Sequence, residues 1–216
     1  MTQNEHTEDL PDLEPIDMAR TRIKKLGAEK PPGWPLCAQD LCPPCTAMEA
    51  NGLIERLADE GLIRAIDEPW FVQLRRTRLG PVPPTPEEFA MGMAMRTGET
   101  IAAFGPLLAN QMGLSTQIPM RTTFLTSGPS RIYTLMRPNL EMRQAPAWLL
   151  IEPFTPQGDA IRALAAMGPG HSCAHARQIR RVAAVEQNWE QVMELAGQTP
   201  AWMRRALRYA DRKGAP

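Results

Sequence analysis

Prolines occupy positions 81, 83, 84 and 86, and neither a helix nor a central strand runs through such a stretch. They divide the chain of 216 residues into a shorter N-terminal part and a longer C-terminal part, with a boundary near residue 80. That length is enough for two small domains, each with a core of its own.

Upstream of the prolines, apolar spacing predicts a definite order of elements. Residues 1–15 hold five acids and no Lys or Arg, and predict a disordered acidic tail. Ile16, Ala19, Ile23 and Leu26 share one face of a short amphipathic helix, with Gly27 as its expected stop. Pro31, Pro32, Gly33 and Pro35 enforce a loop, and 36–42 allow one helical turn before Pro43 and Pro44. Thr46 and Glu49 have the spacing of a capping box. They open a helix whose stripe is Ala50, Ile54 and Leu57, with Met48 and Leu53 at its edges and Gly61 as its stop. Two strand-like runs, 62–66 and 70–74, flank Asp67-Glu68-Pro69 as a tight turn. Helix, short helix, helix and hairpin is the order of a winged helix-turn-helix over 16–80.

Downstream, over 81–216, the expectation is a mixed domain. Thr85 begins a helix over 86–97, and a second runs from Pro106 to Met112, closed by Gly113. Residues 121–126, 131–137 and 140–143 alternate like strands of a small antiparallel sheet, with Ser127-Gly128-Pro129-Ser130 as the first turn. From Asp159 the pattern is helical, broken at Gly168-Pro169-Gly170 and Gly197. Ser172 is expected as one N-cap, and Thr199-Pro200 starts the last helix, with Trp202, Ala206 and Tyr209 on its apolar side. The fold class predicted is therefore α+β, an N-terminal winged helix followed by a small antiparallel sheet and C-terminal helices.

Composition bounds the function. No apolar run reaches the roughly 20 residues of a membrane helix, and the acidic start is unlike a signal peptide, so no membrane partner is expected. With no export signal, four cysteines predict reduced thiols and a cytoplasmic protein. The formal net charge is zero, which on its face argues against nucleic acid. Resolved along the chain, however, it is −5 over 1–15, +1 over 16–80, −1 over 81–160 and +5 over 161–216. Such asymmetry marks interaction surfaces, although a solvated tail and helix face produce it too.

In a winged helix the second helix of the motif enters the major groove. Its base-reading candidates are Thr46, Glu49, Asn51, Glu55 and Arg56; Glu49 would accept from cytosine N4 and Asn51 would pair with adenine. Lys24 and Lys25 on the first helix, with Arg64, Arg75, Arg76 and Arg78 on or just after the wing, are phosphate candidates. Against this, the same helix region carries Glu49, Glu55, Asp59 and Glu60 beside a single Arg56, and carboxylates repel phosphates. The opposing reading is a winged helix used for protein contact or as scaffold. A second basic surface comes from Arg177, Arg180 and Arg181, joined by Arg204, Arg205, Arg208 and Arg212. It suits an acidic protein or nucleic acid, or is simply solvated.

Chemistry beyond binding has little support. Cys37, Cys42 and Cys45 have C-x4-C-x2-C spacing, and His171-x-Cys173-x-His175 could add ligands, so a metal- or redox-responsive regulator is an alternative. Small thiols filling a core account for the same residues, and no metal or cofactor is expected. There is no Gly-rich phosphate loop, no GxSxG elbow and no paired acid motif, so no enzyme is expected. Ser127–Arg131 has the donors for an anion site but also the composition of a turn. The 13 methionines are expected to be packing residues.

One further signal is a likeness. Gly113-Leu114-Ser115-Thr116-Gln117-Ile118-Pro119, then Thr123-Phe124-Leu125-Thr126-Ser127-Gly128-Pro129-Ser130-Arg131 and Leu140-Glu141-Met142-Arg143, resemble the AbiEi-type antitoxin family. Leu53–Leu57, Gly61–Arg64 and Pro200–Met203 resemble the end of its winged helix, the start of its wing and its closing helix. The resemblance implies a winged helix that binds operator DNA and represses its own operon. It also implies a C-terminal domain that counteracts a nucleotidyltransferase-like toxin of a type IV toxin–antitoxin system. A stand-alone regulator of a mobile element, with no toxin partner, is the alternative. The chain departs from the family in its Cys37–Cys45 segment and at Ala47.

Overall fold

A computed structural model describes residues 14–41, 46–116, 121–134 and 139–212. The chain divides between Pro84 and Thr85 into two compact units, and each contains its own apolar core.

In the first unit, helix α1 spans Pro15–Glu29 and buries Ile16, Ala19 and Ile23. Of the acidic segment, residues 1–13 lie outside the described residues, while Glu14 is already the N-cap of α1. Gly27 does not stop the helix. An added Cβ there would lie 2.0 Å from Gln73 Oε1, so the missing side chain makes room for Gln73. The helix ends at Lys30 instead, before two prolines that cannot continue it. Trp34 N–H donates to the Pro31 carbonyl, and with Pro32 and Gly33 (φ 80°) between them this is a type II turn that requires the glycine.

Strand β1 (Pro35–Leu36) leads into α2 (Ala38–Leu41) and then α3 (Ala47–Asp59). The capping box at Thr46 and Glu49 is formed. Helix α3 buries Ala50, Leu53 and Leu57, so Leu53 takes the central place expected of Ile54, which is half-buried. Strands β2 (Ile63–Asp67) and β3 (Trp70–Gln73) pair antiparallel, and β1 adds to the other edge of β3. A three-helix unit closed by a sheet of order β1-β3-β2 is a winged helix. Its core joins α1 residues to Leu36, Leu41, Ile63 and Phe71. A second hairpin, β4 (Arg75–Thr77) and β5 (Gly80–Val82), follows where no element was expected.

The second unit opens with α4 (Pro86–Thr97), capped by a Thr85–Glu88 box and ended by Gly98 at φ 71°. Strand β6 (Ile101–Phe104) and helix α5 (Pro106–Gln111) precede β7 (Arg121–Thr126), β8 (Arg131–Tyr133) and β9 (Asn139–Gln144). Residues 117–120, within the family-like block, and 135–138 lie outside the described residues. The sheet order is β6-β7-β9-β8, with antiparallel pairs at both edges and a parallel β7–β9 pair between. Ser127–Ser130 therefore does not close a hairpin of adjacent strands. Alternation shows which face of a strand is buried, not which strand lies beside it.

The remaining helices are α6 (Pro156–Met167), α7 (Ser172–Arg180), α8 (Ala183–Glu186), α9 (Trp189–Leu195) and α10 (Ala201–Arg212). His171, at φ 55°, occupies the N-cap position of α7 expected of Ser172, and it makes no side-chain cap. Helix α10 buries Met203, Ala206, Leu207 and Ala210; Trp202 is only half-buried and Tyr209 is exposed, so the buried side lies one residue round from the expected one. Among the described residues no helix is long and apolar enough to cross a membrane.

Candidate nucleic-acid interface

Helix α3 presents one outward stripe, Met48, Asn51, Gly52, Glu55 and Asp59, spaced three and four residues apart. Met48 is 84% exposed, and a Cβ added to Gly52 would meet nothing within 4 Å. The stripe thus carries an amide, a carboxylate, a thioether and a bare patch of backbone, which suits close approach of another polymer. Met48 and Gly52 were missed in the sequence because neither is a polar base-reading type.

The acids around α3 do not all face outward with spare charge. Glu49 Oε2 accepts from both the backbone N–H and the hydroxyl of Thr46, each at 2.8 Å, and the N–H of Thr46 is foremost in holding its carboxyl below the usual range. Thr46 and Glu49 are therefore engaged with each other and with the helix end. Glu60 accepts two hydrogen bonds from Arg20 of α1, which lower its pKa and tie α1 to the C-terminal end of α3. That leaves Glu55 and Asp59 against Arg56 as the outward charges, a smaller repulsion than the sequence count implies.

The basic candidates fall into two sets. Lys24, Arg75 and Arg76 surround one cavity of about 550 Å³, with Lys30 and Trp34 also in its wall. Lys25, Arg64 and Arg78 are exposed but lie outside that wall. Lys25 stands 3.9 Å from Glu29, a weak surface pair. Arg75 and Arg76 lie on the β4–β5 hairpin, and Arg78 lies at its tip beside Leu79, which is 99% exposed. Thr77 Oγ1 fixes that tip by donating to the Gly80 carbonyl and accepting from the Leu79 N–H. The wing turn between β2 and β3 carries Asp67 and Glu68, so positive charge near the sheet comes from the second hairpin.

On the second unit, Arg177, Arg181, Arg205, Arg208 and Arg212 are exposed. The Arg177 guanidinium lies 5.4 Å from the Tyr209 ring centre. Arg204 Nη1 donates to the Gly197 carbonyl at 3.3 Å. Arg180 behaves differently. It donates to the carbonyls of Ala210 and Asp211 at 2.8 and 2.7 Å and packs over Trp189, so it holds α7 to the end of α10.

Other sequence candidates resolve into structure. Glu99 Oε2 accepts from Thr126 Oγ1 at 2.6 Å and from Arg131. Ser127 Oγ accepts from the Thr100 N–H, and Ser130 Oγ from the Gln144 N–H. The polar groups of Ser127–Arg131 thus bind their own sheet. Among the described residues no three His, Cys, Asp or Glu side chains gather as a metal site. Cys37 is half-buried, and Cys42 and Cys45 lie outside the described residues.

Comparison with known proteins adds a family and a fold. A model described as a family of unknown function, DUF6088, matches residues 22–191. A solved structure described as the Rv2827c protein from Mycobacterium tuberculosis superposes with a TM-score of 0.50 at 12% identity, covering 92% of this chain and 78% of that one. At that identity the likeness is one of fold. No curated protein matches.

Proposed function

The chain belongs to DUF6088, a family of unknown function, and for this member we propose a DNA-binding transcriptional repressor that also serves as the antitoxin of a type IV toxin–antitoxin operon. The observation that carries the reading is the winged-helix topology of the first unit together with its exposed cations on α1 and the second hairpin. In this reading Asn51, Glu55 and Arg56 face base edges, with Gly52 allowing close approach. Lys24, Lys25, Arg64, Arg75, Arg76 and Arg78 hold phosphates, and these supply affinity that falls with salt. Thr46 and Glu49 shape the helix end that enters the groove.

The antitoxin half of the proposal rests on the AbiEi-like blocks and on the arginine face of α7 and α10, which would meet an acidic surface on a nucleotidyltransferase-like toxin. Within this proposal the protein is a cytoplasmic binding protein, not an enzyme. A stand-alone regulator would lack only that second partner.

The test is titration of the full chain with its own upstream DNA, with and without the product of the adjacent gene. Charge reversal at Arg76 and Arg78 is expected to weaken binding for all sequences and to flatten its dependence on salt. Unchanged binding would remove the docking geometry from consideration.

A further inference from the structure

The cavity in the first unit is unusual in its charge. Lys24, Lys30, Arg75 and Arg76 line it, and no Asp or Glu among the described residues does. Cations gathered around one concavity repel each other more than the same groups spread over a convex surface, and an anion in the middle relieves that repulsion. The other walls are not polar. Trp34, Leu26, Leu62 and Leu74 line the same space, and Lys30 Nζ sits 4.8 Å from the centre of the Trp34 ring. Gln73 contributes an amide, placed across α1 by the missing side chain of Gly27. The volume of about 550 Å³ lies well inside the roughly 300–1,000 Å³ of small-molecule sites and exceeds what a single phosphate fills.

We propose that this cavity binds a free nucleoside polyphosphate: the lysines and arginines hold the phosphates, Trp34 and the leucines cover the base, and Gln73 meets a base edge. A nucleoside triphosphate carries roughly four negative charges near neutral pH, which suits a wall whose described charged residues are all basic, and arginine forks suit phosphate oxygens. The ligand is distinguished from DNA backbone by needing the apolar wall as well as the charge. Because Lys24, Arg75 and Arg76 are also phosphate candidates for DNA, the bound nucleotide would compete with operator DNA. That coupling rests on the DNA-binding reading, and the site itself does not.

The test uses the full chain and mant-ATP at 0.1 M salt. Saturable anisotropy is expected, with energy transfer from tryptophan to the mant group. ATP should displace the probe, and tripolyphosphate or adenosine should each need at least tenfold more. Lys30→Ala with Arg76→Ala should weaken binding at least tenfold. Trp34→Phe should remove most of the energy transfer while anisotropy still reports binding, a signature that a misfolded variant would not give. The proposal is overturned by absence of saturation at 1 mM probe, by energy transfer that survives Trp34→Phe, or by tripolyphosphate competing as well as ATP. Adding operator DNA separates the two readings. Release of mant-ATP by DNA supports the coupling, and simultaneous binding overturns it. Operator DNA that fails to bind the nucleotide-free protein, when the same protein binds mant-ATP, sinks the repressor reading alone.

Discussion

Two side chains in the second unit show how much one residue can organise. Arg162 is fully buried on α6. Its Nη1 donates to the Ile151 carbonyl at 2.8 Å, and its Nη2 to the Glu152 carbonyl at 3.1 Å and to Asp159 Oδ1 at 2.7 Å. Burial pushes its pKa down, and Asp159 opposes that. The fork satisfies a loop whose Glu152 and Phe154 hold φ values of 43° and 59°, conformations that cost energy outside glycine. Arg162→Leu is expected to lower stability by about 3 to 5 kcal/mol, the cost of breaking a buried charge pair from one side. Arg162→Lys should recover little, because one ammonium cannot reproduce the fork; urea unfolding midpoints check both. Glu99 gives a pH dependence. Burial pushes its carboxyl up, but the hydrogen bonds from Arg131 and Thr126 outweigh that and leave it below its ordinary value. A carboxyl depressed by folding contributes its full stability above the unfolded value of about 4.3 and loses it as pH falls through the lower folded value. Glu99→Gln should therefore be less stable than the parent at neutral pH and should lose stability less steeply below about pH 4, as read from urea midpoints across that range.

At the scale of elements, the parts legible in the sequence are those determined within a few residues. Thr46 and Thr85 each meet a Glu three positions on, and both capping boxes form, the first as expected and the second where only the helix start was read, because all their atoms belong to one helical turn. The β4–β5 hairpin was not legible, since Pro81 argues against a strand and only pairing with Arg76 places it in one. The parallel β7–β9 pair was likewise out of reach, because parallel neighbours are chosen by contacts across the fold. The same division applies to the site: the cations were visible as residue types, but their convergence with Trp34 on one cavity depends on the path of the Pro31–Trp34 turn. Helix α3 offers a test that separates shape from recognition. Thr46→Ala should cost about 1 kcal/mol of stability, the usual value of an N-cap, and leave base preference unchanged. Asn51→Ala should leave stability within about 0.5 kcal/mol and relax discrimination at one base pair by about 1 to 3 kcal/mol. Thermal unfolding and a panel of single-base operator variants distinguish the two, and a Thr46→Ala change in preference would return Thr46 to the base-reading set.

For the whole molecule, the zero net charge conceals a partition between units. The first unit sets cations on α1 and the second hairpin beside an acidic helix, whereas the second gathers arginines on α7 and α10 around Tyr209. In the proposed reading, the two basic surfaces on separate compact units serve either one long anionic partner or two different ones, and salt dependence can tell these apart. Each phosphate neutralised adds about 0.9 to the slope of log affinity against log salt on duplex DNA. With DNA held by the first unit alone, the six phosphate candidates cap that slope at roughly five. Arg205→Glu with Arg208→Glu should then leave both DNA affinity and slope unaltered while weakening capture of the acidic protein partner at least tenfold. A slope that falls by about two in that variant would place α10 on the DNA and leave the second unit without evidence for a partner of its own.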